Sequence, residues 1–382
     1  SLMSVNYATA LSDYANKGVC GMPELFDDAT ALEKKLNELY LLMRQSRYTV
    51  VHTGAGISTS VGIPDFRGPR GIWTLEKLGK NPPTSVPFES ATPSLAHQIL
   101  VEFECRGLIH YLVTQNIDGL HLRSGFPRDR LSILHGDMFL EVCDTCGTLF
   151  PRNTPSVTVG LRRTDTSCTY IKPSKLRCRG KLTDTILDWE SDLPTTDYNL
   201  AIEHSKRAEL HICIGTSLQM YPAASLPLLP GRPKRSSSNV HHKDDESPPT
   251  SKMVIVNLQR AKLFKRAHLN IHAPADFVLG ALADKFNIPI PCKPDVSSSS
   301  FIPSLLLRSI HSSPDSRLPW RILPHPTNGA GVRILDHALV TATKEAPSCD
   351  FMKPVNGDDS SHTECDTSDC KRIKLCGDTS SN

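Results

Sequence analysis

Residues 53–67 read Thr-Gly-Ala-Gly-Ile-Ser-Thr-Ser-Val-Gly-Ile-Pro-Asp-Phe-Arg, directly after the apolar run Tyr48-Thr49-Val50-Val51. A β-branched strand running into Gly54 and Gly56 lets the backbone turn sharply and approach a pyrophosphate, whose charge then rests at the N-terminus of the following helix. The expectation is the first βα unit of a dinucleotide-binding sheet. Paired glycines suit any βα turn. The Asp65-Phe66-Arg67 block that follows makes a cofactor site the better reading.

Outward from that turn, strand-like apolar runs recur at 48–52, 108–114, 210–214 and 253–257, separated by helix-length segments, the alternation of a parallel α/β sheet. Residues 30–46 set Leu32, Leu36, Leu39 and Met43 on one helical face among Glu33, Lys34, Lys35 and Glu38, so this helix is expected to pack on the sheet. The stretch 137–190 breaks the rhythm with cysteines, turns and short strands, as a small inserted metal-held module would. The fold class read from this is α/β, a Rossmann-type parallel sheet with a small inserted zinc-binding module. An N-terminal arm is expected over 1–28, the main domain over 29–289, and a Ser/Pro-rich tail over 293–382. The tail has no sustained period and is expected to be disordered despite its patch Leu305-Leu306-Leu307. Residues 230–252 are too polar to bury and read as a disordered surface-loop insertion. No internal repeat is evident.

The 43 basic and 40 acidic side chains nearly cancel, so net charge argues for no nucleic-acid partner; local clusters would have to carry that case. There is no run of eighteen apolar residues, and Ser1–Gly21 lacks the apolar stretch of a signal peptide. A soluble intracellular chain without membrane contact is the expectation. Among twelve cysteines, Cys143, Cys146, Cys168 and Cys178 form two close pairs with metal-ligand spacing, which fits a reducing compartment. Four thiolates suit tetrahedral Zn2+, and a full shell leaves no open position, so one structural zinc is expected. Cys105 and Cys213 sit in apolar runs and read as core.

Gln115, Asn116 and Asp118 follow the run Leu108–Thr114 and should emerge at the carboxyl edge of the sheet, where doubly wound folds bind ligands. Gly215-Thr216-Ser217 and Asn257-Leu258-Gln259 each follow a strand-like run and reach the same edge. Leu134-His135-Gly136 stands between these motifs and the first cysteine pair. A histidine there is either a satisfied structural group or, with its near-neutral pKa, a general base.

These blocks, in this order over roughly residues 4–291, resemble the sirtuins, NAD-dependent protein deacylases. Class IV is the nearest match, because Gly68-Pro69-Arg70-Gly71-Ile72-Trp73 replaces the longer cofactor loop of other classes. The resemblance implies NAD+ and a set of residues to hold it. Gly54, Ala55, Gly56, Thr59, Asp65, Phe66 and Arg67 would line the cofactor site, with Trp73 in place of a mobile loop. Gln115 and Asn116 would contact the nicotinamide ribose, and Asp118 would shape the nicotinamide pocket. Gly215, Thr216, Ser217, Asn257 and Gln259 would meet the phosphates and adenosine ribose, and Ala275 the adenine. His135, Asn116 and Asp118 would be catalytic, with His135 deprotonating a ribose hydroxyl. Asp188 and Trp189 would line the acyl-lysine entrance, although an anchoring tryptophan is the competing view of Trp189. The implied products are free lysine, nicotinamide and O-acyl-ADP-ribose.

The implied substrates are acylated lysines of histones and other proteins, met on nucleosomes with direct DNA contact in the nucleus. Gene silencing and DNA repair are the implied roles, with mono-ADP-ribosyl transfer as a side reaction. Lys371-Arg372-Ile373-Lys374 is a candidate import signal, and Arg232, Lys234 and Arg235 a second. Two other classes compete. A nicotinamide oxidoreductase with structural zinc would need an acidic residue ending its second strand, whereas Glu76 is expected in a loop. A catalytically silent chromatin scaffold would have no use for a full set of catalytic positions.

Overall fold

The computed structural model describes residues 7–229, 251–289, 321–323 and 325–326. The two basic clusters, most of the insertion and most of the tail lie outside the described residues.

Asp28 starts the main domain by accepting the Ala31 amide at 2.8 Å, which satisfies one of the orphan donors of helix α1 (Ala29–Gln45). Helix α1 buries Leu36, Leu39, Leu42 and Met43, the spacing of one helical face. Then come β1 (Thr49–Thr53), α2 (Ile72–Lys77), α3 (Leu95–Cys105), β2 (Tyr111–Thr114), α4 (Leu120–Arg123) and β3 (Leu131–Ile133). A second group follows: β4 (Leu140–Cys143), β5 (Leu149–Pro151), β6 (Arg163–Ser167) and β7 (Lys181–Asp184). The chain returns to the first layer with α5 (Thr195–Ser205), β8 (Leu210–Ile214), β9 (Lys252–Val256), β10 (Leu269–Ile271) and α6 (Ala275–Lys285).

Six strands form one parallel sheet in the order β10-β9-β8-β1-β2-β3. Alternate residues face opposite sides of it. Val51, Leu112, Ile212 and Val254 join the helices α1, α3 and α6 in one core, while Val50, Tyr111 and Val113 pack with Ala201 of α5 in another. Burial on both faces is why these strands read as continuous β-branched runs. Each fully buried aliphatic side chain contributes about 1.5–3 kcal/mol, so the sheet is the rigid base of the molecule. Chain order runs outward from β1 to β3, then resumes at β8 on the other side. The strand order therefore reverses between β1 and β8, the switch point at whose carboxyl ends doubly wound sheets bind ligands.

The remaining four strands form the antiparallel sheet β5-β4-β7-β6 within the expected zinc module.

Several expectations need correction. The segment after Gly54 forms two single 3₁₀ turns, Ala55–Ile57 and Thr59–Val61, in place of an α-helix. Ser58, Thr59 and Ser60 favour turns over helix interiors, and Gly62, at φ +87°, stops propagation. Cys105 is exposed, since it closes α3 two residues beyond buried Phe103 and so points to the opposite face. Glu76 lies in α2, where it pairs with Lys17 at 2.7 Å. Lys252, assigned to the insertion, is the first residue of β9 and pairs with Leu210. Part of the tail is ordered: Ile322 forms a parallel bridge to Leu149, and His325 is buried. No described helix is long and apolar enough to cross a membrane.

Candidate active site

The loops leaving β1, β2, β3, β8 and β9 surround one cavity of about 550 Å³, within the range of small-molecule sites. Glycine governs how the two central loops meet. A Cβ on Gly56 would lie 2.7 Å from the Gly215 Cα, and one on Gly54 would lie 2.8 Å from the Gly215 carbonyl oxygen. The Gly56 amide donates to that same oxygen at 2.9 Å, and Gly215 itself adopts φ +61°. The glycines therefore let two loops close on one another across the switch point.

From β2, the Asn116 side-chain amide donates to the Gly54 carbonyl at 3.1 Å, tying the second loop to the first. Asp118 is almost wholly buried; it accepts the Ser58 hydroxyl at 2.7 Å and the amide of Leu120, the first residue of α4, at 2.9 Å, and it lines the cavity. Burial pushes its carboxyl up from the ordinary range, against those two hydrogen bonds. Gln115 reaches Thr216 across the cavity at 3.5 Å.

From β3 comes His135. Its Nδ1 stands 3.0 Å from the Gln115 carbonyl oxygen, which can only accept, so Nδ1 carries the proton. The other nitrogen, Nε2, is thereby left as the basic lone pair of a ring that lines the cavity. Burial pushes the imidazole down to about 4, so the neutral base form predominates at neutral pH. A histidine oriented through one nitrogen and basic at the other can take a proton from a ligand hydroxyl.

The wall opposite is aromatic. Ile72 and Trp73 donate their amides to the Asp65 and Phe66 carbonyls, folding α2 back on the Asp65-Phe66-Arg67 block. Asp65 accepts the Gly68 amide at 2.9 Å. Phe66, Trp73 and Trp189 meet pairwise with ring centroids 4.7–5.8 Å apart, and the Arg67 guanidinium lies 4.6 Å from the Trp73 ring centre. Trp189 hangs from Asp188, whose carboxylate accepts the Ser12 amide at 3.2 Å. From β9, Asn257 donates to the Gln259 carbonyl at 2.8 Å, and Gln259 reaches the Arg67 carbonyl at 3.4 Å.

The cavity thus gathers Gly54, Ala55, Gly56, Asp65, Phe66, Arg67, Trp73, Gln115, Asn116, Asp118, His135, Asp188, Trp189, Gly215, Thr216, Ser217, Asn257 and Gln259. It does not gather Thr59 or Ala275. Thr59 turns its hydroxyl back to the Gly56 carbonyl at 3.2 Å, and Ala275 opens α6 against the core of the sheet. Sequence reasoning missed the N-terminal arm as a wall. Tyr7 and Leu11 line the cavity, and Tyr14 stacks on Trp189 at 5.4 Å. The signal was present as Tyr7, Leu11 and Tyr14, spaced along the arm.

Away from the cavity, Cys143, Cys146, Cys168 and Cys178 bring their sulfurs within 4.8 Å of one another. Two S–S separations, Cys143–Cys178 and Cys146–Cys168, are 3.8 and 3.7 Å. Four sulfurs about 2.3 Å from a tetrahedral zinc stand about 3.8 Å apart, so this donor set fits the ion. The amides of Thr145, Tyr170 and Gly180 point at three of the sulfurs from 3.4–3.5 Å, as thiolates require. A closed shell of four assigns zinc to structure.

Residues 81–222 match the model of the Sir2 family. The chain is 42% identical over 291 residues to the NAD-dependent protein deacetylase Sirt6 of Drosophila melanogaster, covering 76% of this chain and 87% of that protein. It is 45% identical over 292 residues to the NAD-dependent protein deacetylase SRT1 of Arabidopsis thaliana, but there it spans only 57% of the relative's length. A solved structure described as Sir2 bound to acetylated peptide covers 67% of this chain at 29% identity, with a TM-score of 0.47.

Proposed function

The chain belongs to the Sir2 family, and on that premise we propose that it is a class IV NAD-dependent protein-lysine deacetylase working in the cavity at the switch point of its parallel sheet. The observation that carries the reading is His135, held through Nδ1 by the Gln115 carbonyl and keeping a basic Nε2 in the cavity that Asn116 and Asp118 share. Bound NAD+ would supply a nicotinamide–ribose bond whose cleavage makes an acyl transfer from lysine favourable. With it bound, His135 would accept the proton of a ribose hydroxyl, Asn116 and Asp118 would hold the nicotinamide end, and the Gly54–Gly56 and Gly215–Ser217 loops would receive the phosphates. Asn257 and Gln259 would meet the adenosine ribose. Asp188 and Trp189 border the substrate lysine.

The finer reading follows the resemblance to class IV. Substrates are acylated histone lysines on nucleosomes in the nucleus, with mono-ADP-ribosyl transfer as a side reaction and gene silencing and DNA repair as the roles. Apolar lining by Tyr7, Ile63, Phe88 and Ile186 supports acceptance of long acyl chains as well as acetyl. Mass spectrometry of acetylated and myristoylated histone peptides incubated with the chain and NAD+ tests this. Free lysine with equimolar nicotinamide and O-acyl-ADP-ribose is expected. Hydrolysis to ADP-ribose with both acyl peptides intact would overturn it.

A further inference from the structure

Strand β5 is an edge of the zinc-module sheet, and a short piece of the tail lies along it. The Leu149 amide donates to the Arg321 carbonyl at 2.7 Å, and the Leu323 amide donates to the Leu149 carbonyl at 2.9 Å, the two bonds of a parallel bridge. Side chains on both sides of that bridge are taken up. The Arg321 guanidinium sits 3.7 Å from the centre of the Tyr170 ring, and Leu323 packs on the cluster of Phe150, Leu182 and the cysteines. His325 is buried, with Nε2 2.8 Å from a carboxylate oxygen of Glu141. Glu141 is wholly buried on β4 and is also held by Arg152 and by the Thr164 hydroxyl at 3.2 Å. A carboxylate at that depth requires partners, and one of them arrives from 184 residues away.

The sequence supplies a second observation. Arg321-Ile322-Leu323-Pro324-His325 recurs as Arg333-Ile334-Leu335-Asp336-His337, a short internal repeat that corrects the expectation of none. The four repeated letters are those whose backbone or side-chain contacts to the module are given above.

We propose that the β5 edge, the Tyr170 ring and the Glu141 recess form a peptide-recognition groove on the zinc module, specific for an Arg-Ile-Leu-x-His segment and filled by Arg321, Ile322, Leu323 and His325 of the same chain. Main-chain bonds to Leu149 give affinity, and the cation–π contact, the leucine seat and the buried carboxylate give specificity, the division of labour of strand addition. Occupancy from within the chain works at high effective concentration, so a free peptide of the same letters competes poorly until the chain's own copy is disabled.

The test uses the full chain and its Arg321→Ala/His325→Ala variant. A labelled peptide spanning residues 319–327 is titrated into both, and amide exchange is followed at Leu149, with Leu112 in the parallel sheet as reference. The variant should bind the peptide at least about tenfold more tightly than the parent, because its groove is vacant. Exchange at Leu149 should rise about tenfold in the variant and return with added peptide, while Leu112 stays protected. A peptide spanning residues 331–339 should restore protection too, and a scrambled one should not. Equal affinity for parent and variant, unchanged exchange at Leu149, or equal rescue by the scrambled peptide would each overturn the proposal. Should the variant lose protection at Leu112 as well, His325→Gln alone, titrated with the same labelled peptide, gives the same comparison.

Discussion

The parallel sheet and the zinc module bury comparable chemistry in opposite ways. Around the parallel sheet, apolar strands do most of the work: burial drives His52 of β1 and His97 of α3 well below their ordinary pKa, and His135 follows, while one buried ion pair, Arg128–Asp197, braces β3. In the module, the core is four cysteines with Phe150 and Leu182, and the adjoining carboxylate Glu141 is held by Arg152 and His325. Stability in the first region comes from area and in the second from specific bonds. The first should therefore tolerate the loss of one functional group, whereas the second should not.

The largest expected effect tests that contrast directly. Cys168→Ser removes one of four ligands, and a structural zinc contributes about 10 kcal/mol or more, comparable to the whole stability of a domain. Soluble protein and bound zinc should fall together, and a strong chelator should reproduce the loss in the parent chain. Full zinc content in the soluble variant would show that the module holds its ion differently. Next comes His135→Tyr. Removing a general base costs about 10²- to 10⁴-fold in rate, yet the sheet beneath it does not depend on this ring. Peptide deacetylation should collapse with the melting temperature unchanged; activity within a few-fold of the parent would take His135 out of the chemistry.

Smaller, and aimed at the joint between the loops, is Gly56→Ala. The added methyl would sit 2.7 Å from the Gly215 Cα, a backbone atom that cannot rotate aside, so the β1 and β8 loops must separate. Overpacking of this kind costs about 1–3 kcal/mol. A lower melting temperature together with a raised KM for NAD+ is expected, and an unchanged KM would mean that loop closure does not shape the cofactor site.

What the sequence revealed and what it hid divide along the same line. Strands β1, β8 and β9, helix α1, the cysteine ligands and the position of His135 are legible because each rests on local periodicity or a spaced motif. Contacts between distant segments left no such trace. Nothing in Thr53–Arg67 says that Gly56 must fit against Gly215, and nothing in Arg321–His325 says that its partners are Leu149 and Glu141. Thr59 and Ala275 rest on the family resemblance alone, and neither is among the residues that line the cavity. An apolar run does not fix the burial of Cys105, because the last residue of α3 turns away from the face that Phe103 buries.

The smallest effect concerns the wall that the N-terminal arm supplies. Tyr14 stacks on Trp189 at 5.4 Å with ring planes 25° apart, and lies 5.8 Å from Trp73, so it braces the aromatic side of the cavity from outside. Such a contact is worth about 0.5–1.5 kcal/mol beyond area burial, which corresponds to a change of a few-fold in binding. Because Tyr14 stands behind the rings and not at His135, Tyr14→Ala should raise KM for the acyl peptide about two- to tenfold and leave the KM for NAD+ and the rate at saturation nearly unchanged. Tyr14→Phe keeps the ring and should restore the parent value. A fall in the saturated rate with the peptide KM unaltered would instead mean that the arm acts on the chemistry, and the aromatic wall would then belong to the catalytic half of the site.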